Sequence, residues 1–321
     1  MAPSRIAQSA SSKPFLPGWW TKYFPDNTGA RHAGTSRNPI GWWVRDAMLE
    51  NVNLKRKLSR EEYAQALPRL QSRLYDLEKD CWDHKVPSVI LFEGWDAAGK
   101  GSAVSILTQR LDPRGFKLHS INLPRTFEQS RPWLWRFWLR APNRGEMVIF
   151  DQSWYLRVMR ERVEGNVPES AWRAAYSDIL DFERMLADDG TVMVKLFLHI
   201  SRKEQKRRFE AMETDPLEAW RITKEDWARH KKYDLYLSAA EEMLERTESE
   251  YAPWTIVEAT SRRWATKKIF ETIIEALEKR LGEKASPRRV SDDEAQKDAD
   301  LRHAMASLEP AEAETEHEGE A

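Results

Sequence analysis

Apolar positions along this chain follow two alternating rhythms. Val89-Ile90-Leu91-Phe92 is a short continuous apolar run, and comparable runs occupy 118–123, 147–150, 192–200 and 254–257. Short runs of this kind mark strands covered on both faces, as in a parallel sheet. Between them the spacing changes to threes and fours. Tyr63, Leu67, Leu70, Leu74, Leu77 and Cys81 form one helical stripe, Val104, Leu107 and Leu111 a second, and the stretch from Trp172 to Leu186 a further helix. Ser59 with Glu62 supplies a capping box for the first helix, Pro68 predicts a kink within it, and Asp112-Pro113 predicts the end of the second. Alternating strands and helices predict an α/β fold with a parallel sheet of about five strands and helices on both faces, hence three layers. Ligands of such sheets bind at the carboxyl ends of the strands. No internal repeat is present.

Composition adds boundaries to this picture. The 321 residues suffice for one large α/β domain with extensions, or for two small ones. The single cysteine, Cys81, allows no internal disulfide. There is no apolar leader and no apolar run of membrane-spanning length, so a soluble cytoplasmic protein without a membrane partner is expected. The net charge of -1 conceals an asymmetry: from Lys284 onward five Lys and Arg face eleven Asp and Glu. Residues 284–321 are therefore expected to form an acidic disordered tail, serving solubility or mimicking phosphate at a basic site. Residues 1–54 read as an irregular arm, rich in Pro, Gly and Ser, with paired Trp19-Trp20 and Trp42-Trp43. Fifteen Trp in one chain is a high share, which serves either core packing or subunit contacts.

The strongest chemical signal is Gly94-Trp95-Asp96-Ala97-Ala98-Gly99-Lys100-Gly101-Ser102, between the first strand and the second helix. A phosphate-binding loop, G-x-x-x-x-G-K followed by Ser or Thr, cradles phosphate in backbone N–H groups, neutralises it with Lys and holds Mg²⁺ with the hydroxyl. The unpaired N–H groups and dipole of the following helix add to that stabilisation. Here Gly101 follows Lys100, the hydroxyl comes one residue late, and Asp96 lies inside the loop. A carboxylate therefore takes over part of the metal or phosphate handling. The alternative is a Gly-rich turn with a stray Lys.

Asp151 ends the run Val148-Ile149-Phe150, where phosphate-loop enzymes place a carboxylate for Mg²⁺ or its water shell. It could instead cap the helix that follows. Mg²⁺, or Mn²⁺ in its place, needs few carboxylates beside phosphate and water oxygens, so Asp96 and Asp151 suffice in number. Beyond Asp151 the chain is basic: Arg157, Arg160 and Arg162, then a helix opened by Ser201 and Glu204 with Lys203, Lys206, Arg207 and Arg208, then Arg221, Lys224, Arg229, Lys231 and Lys232. Most of these charges form a solvated face, and a minority point into the cleft to neutralise phosphoryl oxygens.

Five segments now stand in one order: the loop Gly94 to Gly101, Phe150-Asp151-Gln152-Ser153-Trp154-Tyr155, Glu204-Gln205-Lys206-Arg207-Arg208-Phe209, Asp215-Pro216 with Trp220, and Tyr251-Ala252-Pro253-Trp254. Across roughly 55–282 the chain resembles the polyphosphate kinase 2 family. The resemblance implies a P-loop kinase-like three-layer sandwich over 55–283, with a helical lid at about 201–237. It implies Mg²⁺-dependent phosphoryl transfer between inorganic polyphosphate and a nucleotide, AMP, ADP or GDP, by a homo-oligomer, dimer or tetramer. The family's loop Asp, loop Lys, strand-end Asp and lid arginines correspond to Asp96, Lys100, Asp151, Arg157 and Arg208.

Two positions depart from the family. Gln152 stands where Arg is usual, and Thr260-Ser261-Arg262-Arg263 where relatives carry an acidic residue and a Lys. Two other readings compete. An ordinary ATP-dependent nucleotide kinase would keep Ser or Thr directly after the Lys, and Gly101 opposes it. A non-catalytic polyphosphate-binding protein is favoured only by Gln152, and the retained Asp96, Lys100 and Asp151 oppose it. Nucleic acid is not an expected partner, since the basic residues lack a reader motif and the net charge is near zero. Seven His and one Cys show no zinc spacing, and no nucleophile triad is suggested.

Overall fold

A computed structural model describes residues 49–282 of the chain. The arm assigned to 1–54 and the tail assigned to 284–321 lie outside these residues, apart from 49–54. Within that short piece Leu49 is already buried, packing with strands and helices of the domain, and its N–H donates to Glu241 Oε1 at 3.1 Å.

In chain order the elements are α1 (Arg60–Asp83), β1 (Ser88–Gly94), α2 (Lys100–Thr108), β2 (Phe116–Ser120), α3 (Thr126–Gln129), α4 (Trp135–Trp138) and β3 (Met147–Asp151). After these come α5 (Arg160–Glu164), α6 (Glu169–Asp188), β4 (Val192–His199), α7 (Arg202–Thr214), α8 (Lys224–Lys231), α9 (Tyr233–Arg246), β5 (Trp254–Glu258) and α10 (Arg262–Leu281). The five strands form one sheet in the order β2-β3-β1-β4-β5, with every pairing parallel. The chain leaves β1 toward β2 and β3 on one side, then crosses to β4 and β5 on the other. Strand order therefore reverses at β1, and the loop following β1 sits at that switch point, where open α/β sheets bind ligands.

Two-residue periodicity divides the core into the two expected layers. Ile90, Phe92, Ile149, Leu196 and Leu198 face α1, α2 and α10, whereas Val89, Leu91, Val148, Phe150 and Phe197 face α6 and α9. The capping box of α1 forms in both directions: Ser59 Oγ accepts from Glu62 N at 3.1 Å, and Ser59 N donates to Glu62 Oε2 at 3.0 Å. The helix runs through Pro68 as one element. Packing of Leu74, Leu77 and Cys81 against the sheet offsets the one N–H that proline removes. No described helix is long and apolar enough to cross a membrane.

Two boundaries differ from the sequence reading. α2 ends at Thr108 rather than Leu111: Gln109 keeps helical angles, but the chain then closes in a turn in which Leu111 N donates to Thr108 O at 3.3 Å, and Leu111 remains buried as an anchor. β2 spans 116–120 rather than 118–123. It is an edge strand whose register is set by β3, with Phe116 opposite Met147 and Ser120 opposite Asp151. Apolar content is a poor guide there, since Leu118 faces outward.

Candidate active site

Three local constraints shape the loop after β1. Gly94 has φ +123°, and a Cβ there would lie 2.2 Å from the carbonyl oxygen of Leu198 on β4, so only glycine fits. Trp95 turns inward, donating its indole N–H to His199 Nδ1 at 2.8 Å and stacking on Tyr233 with centroids 4.2 Å apart. That contact fixes the His199 tautomer, with Nδ1 unprotonated, and burial holds the imidazole down to about 4 against a raising bond to the Leu49 backbone. Gly99, at φ +97°, then starts α2 with no side-chain cap. The first N–H groups of α2 therefore have no capping side chain and are available to an anion.

The loop carbonyls are tied back by side chains from several elements. Lys100 Nζ donates to the carbonyls of Gly94 (2.9 Å) and Trp95 (3.0 Å), Gln205 Nε2 to that of Asp96 (3.1 Å), and Arg208 Nη1 to that of Ala97 (2.8 Å). With its carbonyls held this way, the loop is built to present N–H groups to phosphate.

A cleft of about 570 Å³ opens over this cradle. Asp96, Ala97, Gly99, Lys100, Gly101 and Ser102 line it from the loop, Asp151 and Gln152 from the end of β3, and Arg207, Arg208, Arg221 and Arg262 from the basic segments. Of the predicted site residues, Gly94 faces a small cavity behind the loop, Ala98 is buried in the core, and Arg157 is elsewhere. A Cβ at Gly101 would meet nothing within 4 Å, so packing does not exclude a hydroxyl-bearing residue there.

Asp96 lies between the cleft and the cavity behind it. Its Oδ2 accepts from Arg229 Nε at 2.7 Å. Burial alone would raise its pKa, but Lys100 and Arg229 outweigh that and hold the carboxyl below the ordinary Asp range. Asp151 does not cap the following turn: Ser153 does, its Oγ accepting from Tyr155 N. Glu93, wholly buried beside the loop, accepts from Ser153 Oγ at 2.7 Å, and burial pushes its carboxyl up to about 7 against the lowering effects of Ser153 and Lys100.

Arg208 braces rather than reaches. Its guanidinium donates to Glu204, to Ala97 O, and to the carbonyls of Ala259 and Thr260 at 2.7 and 3.0 Å, tying α7 to the loop and to the end of β5. Arg157 sits in the 3-10 turn Trp154–Arg157, paired with Glu161 at 2.6 Å and stacked over Trp133. It lines a second cavity of about 540 Å³, together with Arg131, Trp133, Arg136, Phe137 and Ser153. Arg136 is buried there, held by Glu128 at 3.2 Å and by the carbonyl of Asn122 at 2.8 Å. Gln152, at φ +62°, turns the backbone between the two spaces, so that Asp151 and Gln152 line the loop cleft and Ser153 the second cavity.

Sequence reasoning did not single out Glu93, Gln205, Arg229, or Arg131 and Arg136 of the second cavity. Arg229 is one charge in a basic run, and its partner Asp96 lies 133 residues away. Nothing local in the sequence marks the pair. Asp96 and Asp151 offer hard oxygen donors of the kind that would suit a divalent cation. Among the described residues no group of three or more His, Cys, Asp or Glu could hold a metal.

A polyphosphate:AMP phosphotransferase from Pseudomonas syringae pv. tomato is 44% identical to this chain over 178 residues, 56% of this chain and 36% of the relative. An AMP/ADP-polyphosphate phosphotransferase from Meiothermus ruber is 36% identical over 161 residues, 49% of this chain and 60% of that one. The chain thus spans about a third of the first of these relatives and over half of the second. The crystal structure of a polyphosphate kinase 2 from Pseudomonas aeruginosa superposes with a TM-score of 0.71 at 40% identity, over 74% of this chain and 51% of that chain. One from Arthrobacter aurescens gives 0.69 at 27% identity, over 83% and 94%. The family's sequence model, polyphosphate kinase 2 (PPK2), matches residues 57–285, taking in the loop with Asp96, Asp151 at the end of β3 and the basic helices: this chain belongs to the polyphosphate kinase 2 family.

Proposed function

We propose that this chain transfers a phosphoryl group between inorganic polyphosphate and a nucleotide, with AMP, ADP or GDP as acceptor, and that it needs Mg²⁺ or Mn²⁺. The observation that carries this reading is the pair of spaces joined at the tip of β3: the loop cleft, where cations outnumber carboxylates, and the second cavity, where Arg131 stands beside Arg136 and Arg157, the latter two paired with Glu128 and Glu161. Two polyanions must meet in line without repelling each other, and a phosphate cradle alone serves only one. The loop cleft, open and edged by Arg207, Arg221 and Arg262, suits a phosphate chain. The second cavity has arginines together with the faces of Trp133 and Phe137, which suits a nucleotide's phosphate and base.

In this arrangement the loop N–H groups and Lys100 hold the terminal phosphoryl group, and Asp96 and Asp151 would hold the metal. Bound there, the metal neutralises charge on the phosphate oxygens. An oxygen of the acceptor's terminal phosphate attacks the terminal phosphorus of the chain, and the bond to the next bridging oxygen breaks, leaving a chain one unit shorter. Arg157 and Arg136 orient the acceptor phosphate from the second cavity. Tightly seated Arg208 and Gln205 act on the loop and not on the substrate.

The family resemblance leads us to expect a homo-oligomer, dimer or tetramer, readable by light scattering, and the single buried Cys81 accords with a reducing, cytoplasmic setting. The deciding experiment supplies Mg²⁺ and long-chain polyphosphate with AMP, ADP or GDP in turn and follows nucleotide products. Formation of the next higher phosphate is expected. Turnover with ATP and a nucleoside monophosphate, and none with polyphosphate, would overturn the proposal.

A further inference from the structure

The ion pair between Arg229 and Asp96 has a construction that simple docking of α8 on the loop does not require. Asp226 grips Arg229 from the other side, and Asp226 is itself fixed as the capping-box residue of α8, its Oδ2 accepting from Thr223 N (2.7 Å) and Thr223 Oγ1 (2.6 Å). The side chains of Arg229 and Asp96 are 15% and 28% exposed, so their attraction is only weakly screened. Arg229 approaches from the small cavity behind the loop, while Asp96 also faces the cleft. Only Oδ2 is engaged in the pair.

This fixes the charge that a free metal ion would meet. The other carboxylates lining the cleft are Asp151 and Glu218, and Glu218 is paired with Arg221 at 2.8 Å. Lys100, Arg207, Arg208 and Arg262 stand around them. With Asp96 neutralised, the cleft repels a bare divalent cation and attracts an anion. A cation already chelated by a phosphate chain enters as part of a net anion, and Oδ1 of Asp96 can then complete its shell.

We infer that Arg229 is a positioning residue that, by holding Oδ2 of Asp96, makes the cleft accept its divalent cation only together with the phosphate chain. The inference rests on the reading of the cleft as the seat of the phosphate donor. It concerns the order of assembly: metal and donor enter as one species, and the cleft has no resident ion between turnovers.

Equilibrium dialysis of the full chain against Mn²⁺ tests it, with no phosphate compound, with tripolyphosphate, or with ADP alone, and with the same additive on both sides. The wild type is expected to retain Mn²⁺ only in the tripolyphosphate arm. Arg229→Gln should gain a site for free Mn²⁺, bound on the order of tenfold more tightly than by the wild type, and Arg229→Lys should not. Adding Asp96→Asn to Arg229→Gln should abolish the gained site. Retention of free Mn²⁺ by the wild type as strong as with tripolyphosphate overturns the inference while leaving the donor reading standing, and this arm decides even if Arg229→Gln does not fold. A folded Arg229→Gln that behaves as the wild type also overturns it. Failure of tripolyphosphate to bring Mn²⁺ to the wild type, with ADP succeeding, overturns the donor reading itself.

Discussion

At the scale of single residues, similar side chains in this loop carry unequal weight. Asp96 lies inside the loop, lines the cleft and is held by Arg229 of α8, so Asp96→Asn should lower turnover by roughly 10² to 10³, the usual effect of removing one transition-state electrostatic group. A near-normal rate, measured under saturating metal and polyphosphate, would reduce Asp96 to a structural role. The glycines separate just as sharply. Gly94→Ala forces a Cβ against the Leu198 carbonyl at a backbone angle that L-residues rarely adopt, and should cost about 3 kcal/mol or more in thermal or denaturant unfolding. Gly101→Ala, in open space in the first turn of α2, should instead leave stability unchanged or raise it by about 0.5–1 kcal/mol. Equal losses for the two variants would contradict this account of the loop. The place of the loop was legible: the spacing of Gly94, Gly99 and Lys100 predicts a turn between strand and helix, and β1 ends at Gly94 while α2 starts at Lys100. The partner of Asp96 was not, because attraction between charges depends on distance in space and a basic run in sequence has no direction.

Between elements, the joint of α1 with the segment leading into β2 carries a titratable lock. Glu78 is buried on α1, its Oε2 accepting from Asp112 N at 2.8 Å, while Gly115 packs against its carboxyl. Burial pushes Glu78 up to about 7 from an ordinary 4.5, against the lowering effect of the Asp112 N–H. Because the folded state holds this proton more tightly than the unfolded chain, its stabilising effect is complete below about pH 4.5 and lost as pH rises through about 7. The unfolding free energy of the wild type relative to Glu78→Gln should accordingly fall by about 3 kcal/mol between pH 4.5 and 8. A difference that stays constant across that range would show that the carboxyl titrates normally. Helices and central strands were largely legible from periodicity, as with the α1 stripe and the run at 147–150. The edge strand β2 was misplaced, since its outer side faces solvent and apolar content does not define it.

At the scale of the whole described domain, the loop cleft and the second cavity meet at one tip of the sheet, and a long-chain polyanion should feel the summed field of the cleft's cations more strongly than a nucleotide does. The KM for long-chain polyphosphate should therefore rise steeply between 50 and 200 mM salt, about an order of magnitude, and the KM for the nucleotide acceptor less so. Parallel salt dependences would argue against a track of cations under the donor. Sequence alone determined the alternation of strand and helix, the glycine-rich turn at the first strand's end, the place of Asp151 at the end of the third strand and the family these motifs resemble. Those features are local: each follows from residue types within a few positions of one another. Tertiary structure decided the rest. It placed Arg157 in a cavity apart from the loop cleft, turned Arg208 into a brace for Ala97, Ala259 and Thr260, and set Arg229 on Asp96. The reason is physical: a guanidinium's role depends on the acceptors that the fold brings to its five N–H groups, and these lie on segments far apart in the chain.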